Sequence, residues 1–595
     1  MPHSRSLSEQ SCLLSNADFS HQDGDRSRLG LPYTSPSQHK IHFHHDPESA
    51  LPPRPSHTPI QHQNDTISRG DLPNKRQLLI FSLCRLSSSL SNILVLPYLF
   101  HLVRSAVSTS STPSLAADND DIVTYYTSIP TTALVSTYAG VLVAAFPLAQ
   151  LLVSVLSWNR YGQKLPVVWG LAISAVANLA FGFSRSFWAL LFWRTVSGLA
   201  SGNGGVMRRV ASEIVGEGRK YQDKACQVLS MVGNLGMVAG LAMGGLLAEP
   251  VKTMPGFFGA EGVLNRSGSE EGVKWMVKYP FALPAVVNAV LLGLMAMAAA
   301  AWLRETMSGQ DQVESGTGYS TQRPYILLND TENLLSDRHQ EKPPAKTSLR
   351  SALTTRTLPS LISSFLLALH TSAFAFILPL HLSTPSSPYS PLLSNSSHSL
   401  VPILFRFSGG LALSPVTISL YLSLFGLLGL SFRAFVYPRW QNRLSTMGLF
   451  ELSLAVFPSV YLLTPYLSLF SWGHQDTDST TGCAIMMKWI ALGVVVGGQT
   501  LATTMAGPSA EVLLAESAPS EGVRETVQEV GNMVAILASV VGPVVGGVVY
   551  AKGVREEVVG AAWWFYLVVV AVVAAAWCVG VQGRGYEESE TDQKR

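Results

Sequence analysis

Apolar runs of about 20 residues recur along this chain, each long enough to cross the hydrocarbon core of a bilayer. They fall near 77–103, 133–157, 165–184, 187–207, 226–248, 280–303, 358–382, 416–436, 447–470, 484–507, 527–551 and 558–581. Twelve such runs predict an all-α membrane protein whose first partner is the lipid bilayer. Composition agrees: 47% of the 595 residues are hydrophobic and only 13% are charged, too apolar for a typical soluble protein. A net charge of +2, with no basic patch interleaved with aromatics, excludes a nucleic-acid partner. The five cysteines (Cys12, Cys84, Cys226, Cys483 and Cys578) are scattered, so neither a disulfide framework nor a metal centre is expected. No GxxxxGK[ST] phosphate loop occurs, which disfavours ATP-driven transport, and no cofactor is expected.

Residues 1–74 are rich in Ser, Pro, His, Asp and Gln without apolar periodicity, and read as a disordered cytosolic tail without a cleaved signal peptide. The histidines of HKIHFHHD within it have no cysteine or ordered scaffold beside them and read as solvated. Six runs within 75–303 form one half, and 304–350 is a polar cytosolic linker. Six more within 351–581 form the second half, and 582–595 is a short cytosolic tail. Basic residues collect in the short loops of one side, among them Lys75, Arg76, Arg160, Lys164, Arg208, Arg209, Arg439 and Arg443. Asp118, Asp120, Asp121, Asp476 and Asp478 lie on the other, so both termini are expected in the cytosol.

The densest signal is the stretch 158–213. A polar loop with Asn159, Arg160, the turn-forming Gly162 and Lys164 leads into an apolar run. The next run holds Arg194 inside it, one turn before Gly198. A buried arginine in a membrane helix costs about 2.5–3.5 kcal/mol on insertion scales, so it needs a partner or a water-filled cavity. Asn203 follows within the same run, and the segment closes on Arg208, Arg209 and Glu213. Small residues at helical spacing, such as Gly236, Gly240, Gly244 and Gly245, allow helices to approach closely.

These residues carry a resemblance. The loop Asn159–Lys164 followed by Arg194-xxx-Gly198 resembles the major facilitator superfamily, whose second and third helices are joined by a G-xxx-D-R-x-G-R-K loop. The longer run FGFSRSFWALLFWRTVSGLASGNGGVMRRVASEI is similar to the zinc-induced-facilitator-like subgroup of plants and fungi, with its drug:proton antiporter character. The chain departs at the family aspartate, here Asn159, and at the glycine four residues earlier, here Val155. Arg85 followed by Pro97-Tyr98 resembles the first helix of the subgroup, but Ser88 and Ser89 stand where it has Glu-Pro. The resemblance implies two six-helix bundles around a midplane site. It also makes Arg194, Arg85 and Glu213 candidates for proton or substrate coupling.

The halves echo one another. Gly236-xxx-Gly240 and Gly244-Gly245 are matched in the second half by Gly542, Pro543, Gly546 and Gly547, which suits helices that rock against neighbours. Asn203, His370 and Gln499 are polar groups inside apolar runs, and each is a candidate to line a substrate cavity. The expected activity is secondary transport of a small solute by a monomer, with protons as the implied coupling ion, in the vacuolar or plasma membrane. Efflux or vacuolar sequestration is implied. A solute-sensing receptor on the same scaffold is the alternative. A membrane enzyme would need His, Asp, Glu or Ser clustered at one membrane face, and the sequence offers no such spacing. Reporter tags fused at Met1 and Arg595 should be protected alike, on the cytosolic face; opposite accessibility of the two would show the span count to be odd.

Overall fold

The computed structural model describes residues 74–108, 121–156, 164–201, 214–215, 219–266, 268–303, 353–386, 409–471, 481–556 and 558–582. The expected tails, the linker, and Asn159, Arg160, Gly162, Asn203 and Glu213 lie outside them. The helices of the bundle are α1 (Lys75–Ser108), α2 (Asp121–Leu156), α3 (Lys164–Gly182), α4 (Phe187–Ala200), α5 (Arg219–Leu246) and α6 (Ala282–Trp302). There follow α7 (Thr357–Ser383), α8 (Pro415–Ser431), α9 (Tyr437–Leu463), α10 (Thr481–Glu516), α11 (Glu521–Arg555) and α12 (Ala562–Gly580).

Ten segments meet the length and apolarity needed to span a bilayer. That number is consistent with twelve crossings. The described part of α4 stops at 14 residues. The helical stretch Pro415–Leu469, 55 residues long, would extend about 80 Å at 1.5 Å per residue, far beyond one bilayer core. It divides where Ser445 takes a left-handed φ of 65°. The basic stretch Tyr437–Arg443, whose Arg439 and Arg443 are expected in a short loop, is instead two helical turns that end at the break at Ser445. Pro438 sits at the start of that helix, where its missing N–H would be unpaired anyway. A wider π turn over Phe432–Val436 joins α9 to α8.

The helices are apolar on nearly every face, and large side chains stand outward: Trp188 is 74% and Trp169 62% exposed. In water such a surface would aggregate; against lipid tails it is the ordinary outer surface of a membrane bundle. The inner faces hold the polar groups and the small residues. In the first half α5 and α6 pack on α1, α3 packs on α6 and α4, and α2 packs on α4. In the second half α11 packs on α7, and α10 and α12 pack on α9. Two seams join the halves, α2 against α11 and α5 against α8.

Gln77 Nε2 donates to the Trp302 carbonyl at 2.9 Å, so α1 begins where α6 ends. Trp577 Nε1 donates to the Pro359 carbonyl at 3.4 Å, which brings the end of α12 to the start of α7. These ends share one side of the bundle, and the packing differs between that side and the other. On the far side one core takes residues from both halves, including Leu99, Val103, Leu142, Ile377, Leu382, Ile418 and Tyr550. On the near side the first half has its own cluster (Leu78, Phe81, Leu229, Leu303), and the second half has separate ones (Leu361, Val527) and (Leu449, Met505). Arg433 Nη2 reaches Ser230 Oγ at 3.5 Å there, between α8 and α5.

The α2–α11 seam is tight because it is built from small residues. A Cβ placed on Gly547 would lie 2.8 Å from the Ser136 carbonyl oxygen and 3.3 Å from the Gly140 Cα. Gly547→Leu should therefore lower the stability of the detergent-solubilised protein by about 1–3 kcal/mol through overpacking. Gly293 in α6 has open space around it, so Gly293→Ala should raise stability by up to about 1 kcal/mol. Thermal unfolding of the two variants checks both signs.

Candidate functional site

Arg194 lies in the middle of the first half with only 6% of its surface exposed. Its Nη2 donates to the Asn92 carbonyl at 2.6 Å and its Nη1 to the Ser91 carbonyl at 3.5 Å. The guanidinium stands 4.7 Å from the centre of the Phe146 ring. These carbonyls are free for a reason written in the sequence. The regular turn of α1 ends at Ile93 and gives way to a 3₁₀ turn at Leu96–Tyr98 that carries Pro97, so the carbonyls of the last regular turn lose their donors four residues on. The last carbonyls of a helix need outside donors, and a cation suits that end of its dipole. Arg194 thus caps a broken helix, with an aromatic face supplying the rest of its environment.

A polar network spreads from this point. Asn178 Nδ2 on α3 reaches Ser91 Oγ at 3.0 Å, the Ser174 carbonyl at 2.7 Å and Ser197 Oγ at 3.4 Å. Ser174 and Ser201 approach at 3.4 Å between hydroxyls, and Gln150 Nε2 on α2 donates to the Ser201 carbonyl at 3.2 Å. Four helices, α1 to α4, are tied together by side chains that lipid could not satisfy. Arg85 sits across from Gly233 on α5, whose added Cβ would lie 3.3 Å from Arg85 Nε. Lys164 begins α3 and is half-buried.

The glycines divide by neighbour. Gly236, Gly240 and Gly244 lie on the carbonyls of Leu86, Leu90 and Leu94, one turn apart on both helices, so α5 runs along the α1 backbone. Gly198 does the same against Phe146 of α2. Gly245, one residue on, meets Pro415 and Ser419 of α8 across the seam. The second half repeats the division. Gly542 meets Leu369 and Ser372 of α7, Gly546 meets Ile377 of α7, and Gly547 meets Ser136 and Gly140 across the other seam. The Pro543 carbonyl takes part as well, lying against Gly140. The equivalence read between the two glycine pairs is thus an equivalence of position in space.

His370 and Gln499 come together, although nothing in their spacing joins them. His370 on α7 is fully buried, with Nδ1 2.8 Å from the Tyr461 hydroxyl of α9. Gln499 on α10 stands beside the same Tyr461 hydroxyl. A second pair, His381 and Tyr550, lies at 3.2 Å. Asn178, His381 and Gly140 were not singled out in the sequence. Asn178 stands alone in an apolar run just as Gln499 does, and that was the signal for it; a lone glycine or a histidine near a helix end gave none. Among the described residues no group of three His, Cys, Asp or Glu side chains is placed to hold a metal ion.

Replacing Arg194 separates its roles. Arg194→Ala leaves the Ser91 and Asn92 carbonyls buried without donors, a loss of about 1–3 kcal/mol per group. Arg194→Lys keeps one donor and the charge but not the fork. We expect the melting temperature to fall in the order arginine, lysine, alanine, with transport lost in the alanine variant; an alanine variant as stable as the parent would show that the capping does not matter.

No protein-family model matches this chain. It is 25% identical over 558 residues to the major facilitator superfamily multidrug transporter mfsB of Aspergillus fumigatus, an alignment covering 85% of this chain and 83% of that protein. It is 24% identical over 366 residues to the protein zinc induced facilitator 1 of Arabidopsis thaliana, covering 60% of this chain and 67% of the other. Among solved structures, the D-xylose–proton symporter superposes with a TM-score of 0.52 at 12% identity, covering 84% of this chain and 96% of that one. That last likeness is one of fold. In its fold and in these long likenesses the chain is similar to major facilitator superfamily transporters, among them a fungal multidrug transporter and a plant zinc-induced facilitator.

Proposed function

We propose that this chain is a secondary transporter that moves a small solute by alternating access between two six-helix halves, 75–303 and 351–581. The observation that carries the reading is the uneven packing of the halves: one shared core on the far side, separate cores on the side where α1 begins and α12 ends. Two rigid bundles hinged at small-residue seams can exchange that arrangement for its reverse, exposing a site between them to each side in turn. With the termini in the cytosol, as the basic loops imply, the conformation described is closed outward and parted inward. The working unit is a single copy, and the membrane is vacuolar or plasma.

Proton-coupled efflux or sequestration is supported by the company the chain keeps. The Aspergillus relative is named a multidrug transporter, and the NorA protein of Staphylococcus aureus, 32% identical over 130 residues, is named for quinolone resistance. A catalytic role finds no support in the buried groups, which bind one another rather than forming a nucleophile and base.

The seam supplies the test. Ser136→Cys combined with Gly547→Cys places two thiols across the far-side closure, where a disulfide would hold it shut. Flux of a panel of labelled solutes (a fluoroquinolone, a dipeptide, nitrate) is measured in vesicles before and after oxidation. Transport of at least one, abolished by oxidation and restored by reductant, is the expected result. Movement of none of the panel by the parent protein, or flux that ignores the cross-link, would sink the reading and favour a sensor.

A further inference from the structure

Tyrosines and cysteines aside, the ionisable side chains that are buried among the described residues are Arg194, His370 and His381. Arg194 is committed to helix carbonyls and keeps its charge at any physiological pH. Glu451, Glu511, Glu516 and Glu525 are exposed and Glu529 is half-buried. The interior of the second half therefore offers imidazole as the group able to take up and release a proton.

The two histidines differ in how their tyrosine partners are held. At His381 the direction of every hydrogen bond is fixed. Thr384 Oγ1 donates to the Leu380 carbonyl at 2.8 Å, so it can only accept from Tyr550, whose hydroxyl lies 3.1 Å away. The Tyr550 hydroxyl is thereby spent as a donor, and the contact with His381 at 3.2 Å must use an Nδ1–H. His370 is not locked in this way. Tyr461 stands between His370 Nδ1 and Gln499. The side-chain amide of Gln499 offers both an acceptor and donors, so the Tyr461 hydroxyl can point to either neighbour. Two buried atoms at the edges of this trio have no partner, His370 Nε2 and Gln499 Oε1. An Oε1 without a donor on one side, and a ring nitrogen without a partner on the other, is the pattern of a relay one proton short.

We propose that His370 is the proton-binding site of the transport cycle, with Tyr461 and Gln499 as the relay that registers its charge. In the neutral state the Tyr461 O–H donates to Nδ1 and the Gln499 amide N–H can donate to the Tyr461 oxygen. One proton arriving at the ring gives an imidazolium with two N–H donors. Nδ1–H then donates to the Tyr461 oxygen, and the Tyr461 O–H turns to Gln499 Oε1, filling the acceptor that was empty. Nε2–H is left to a water or a substrate oxygen. The step takes up one proton and forms one N–H bond; the Tyr461 hydroxyl keeps its own proton and only rotates, and the ring proton leaves again when the imidazolium is deprotonated. Because the three residues belong to α7, α9 and α10, the reversal changes how three helices of the second half are held together.

The groups facing His370 bear this out. α9 presents Tyr461 and the edge of Phe457, whose ring centre is 4.7 Å away; α10 presents Gln499 through Tyr461. Further along α7, α11 presents Tyr550 and α12 presents Trp563, both to His381. Among the described residues no carboxylate or cation is hydrogen-bonded or ion-paired to His370. The inference rests on the transporter reading for its role in a cycle, but proton binding itself can be measured without any solute.

Purified protein in lipid nanodiscs is titrated between pH 8 and pH 4, and protons bound per molecule are counted. His370→Gln should bind one proton fewer than the parent, while Tyr461→Phe should bind the same number with a displaced midpoint. An unchanged count for His370→Gln, or an unmoved curve for Tyr461→Phe, overturns the proposal. If His370→Gln does not fold, histidine ¹⁵N resonances of the intact protein decide instead: a ring that titrates in the parent and whose midpoint moves in Tyr461→Phe is required. In vesicles moving a solute from the panel, flux through His370→Gln should no longer be accelerated by a pH gradient; a variant accelerated as the parent is overturns the proton role. A parent protein that moves no solute would remove the transport reading and leave the proton count to stand or fall by itself.

Discussion

Two helices can touch backbone to backbone only where side chains are absent, and this bundle depends on that contact. Lipid gives little hydrophobic reason for helices to associate, so close van der Waals packing and hydrogen bonds from side chains must supply it. α5 meets the carbonyls of Leu86, Leu90 and Leu94 through three glycines at four-residue spacing. The same contact that holds α5 to α1 sets the position of Gly245 at α8, and so the seam between the halves. Packing within a half and packing between halves are thus two faces of one helix.

Polar groups take the second role. In the first half they form a continuous network that anchors the broken end of α1 to three other helices. In the second half they occur as separate tyrosine–histidine contacts set among aromatic rings, with Phe374 stacked on Tyr461 at 5.1 Å and edge-on to Trp563 at 5.5 Å. Each half also retains buried polar atoms without a partner, Tyr98 and Asn288 in the first and His370 and Gln499 in the second among them.

Much of this was legible in the sequence. Apolar length alone gives the class, because lipid leaves a spanning segment few alternatives. The paired glycines were legible because a repeat at equivalent places in two halves is itself evidence of equivalent packing. What could not be read was the partner of each polar group. Arg194 lacks a carboxylate in the sequence and in the structure finds carbonyls instead, freed where the regular turn of α1 ends at Ile93. His370 and Gln499 meet only through Tyr461, a residue that an apolar run hides well. The helical start of α9 was missed for a related reason: basic residues near a membrane face look like a loop whether or not the backbone continues to turn.

The adjacency of Gly244 and Gly245, and of Gly546 and Gly547, has a consequence for how such a chain can change over time. Successive residues on a helix point about 100° apart, so each pair addresses two neighbours that differ by that angle. Inserting or deleting one residue between Gly236 and Gly244 would turn everything beyond it by the same angle. It would also bring a side chain to the α1 backbone and swing Gly245 away from α8. Loops of this protein can lengthen freely, but α5 and α11 cannot gain or lose a single residue along these faces. Length, rather than residue identity, is the property on which descent has least freedom there.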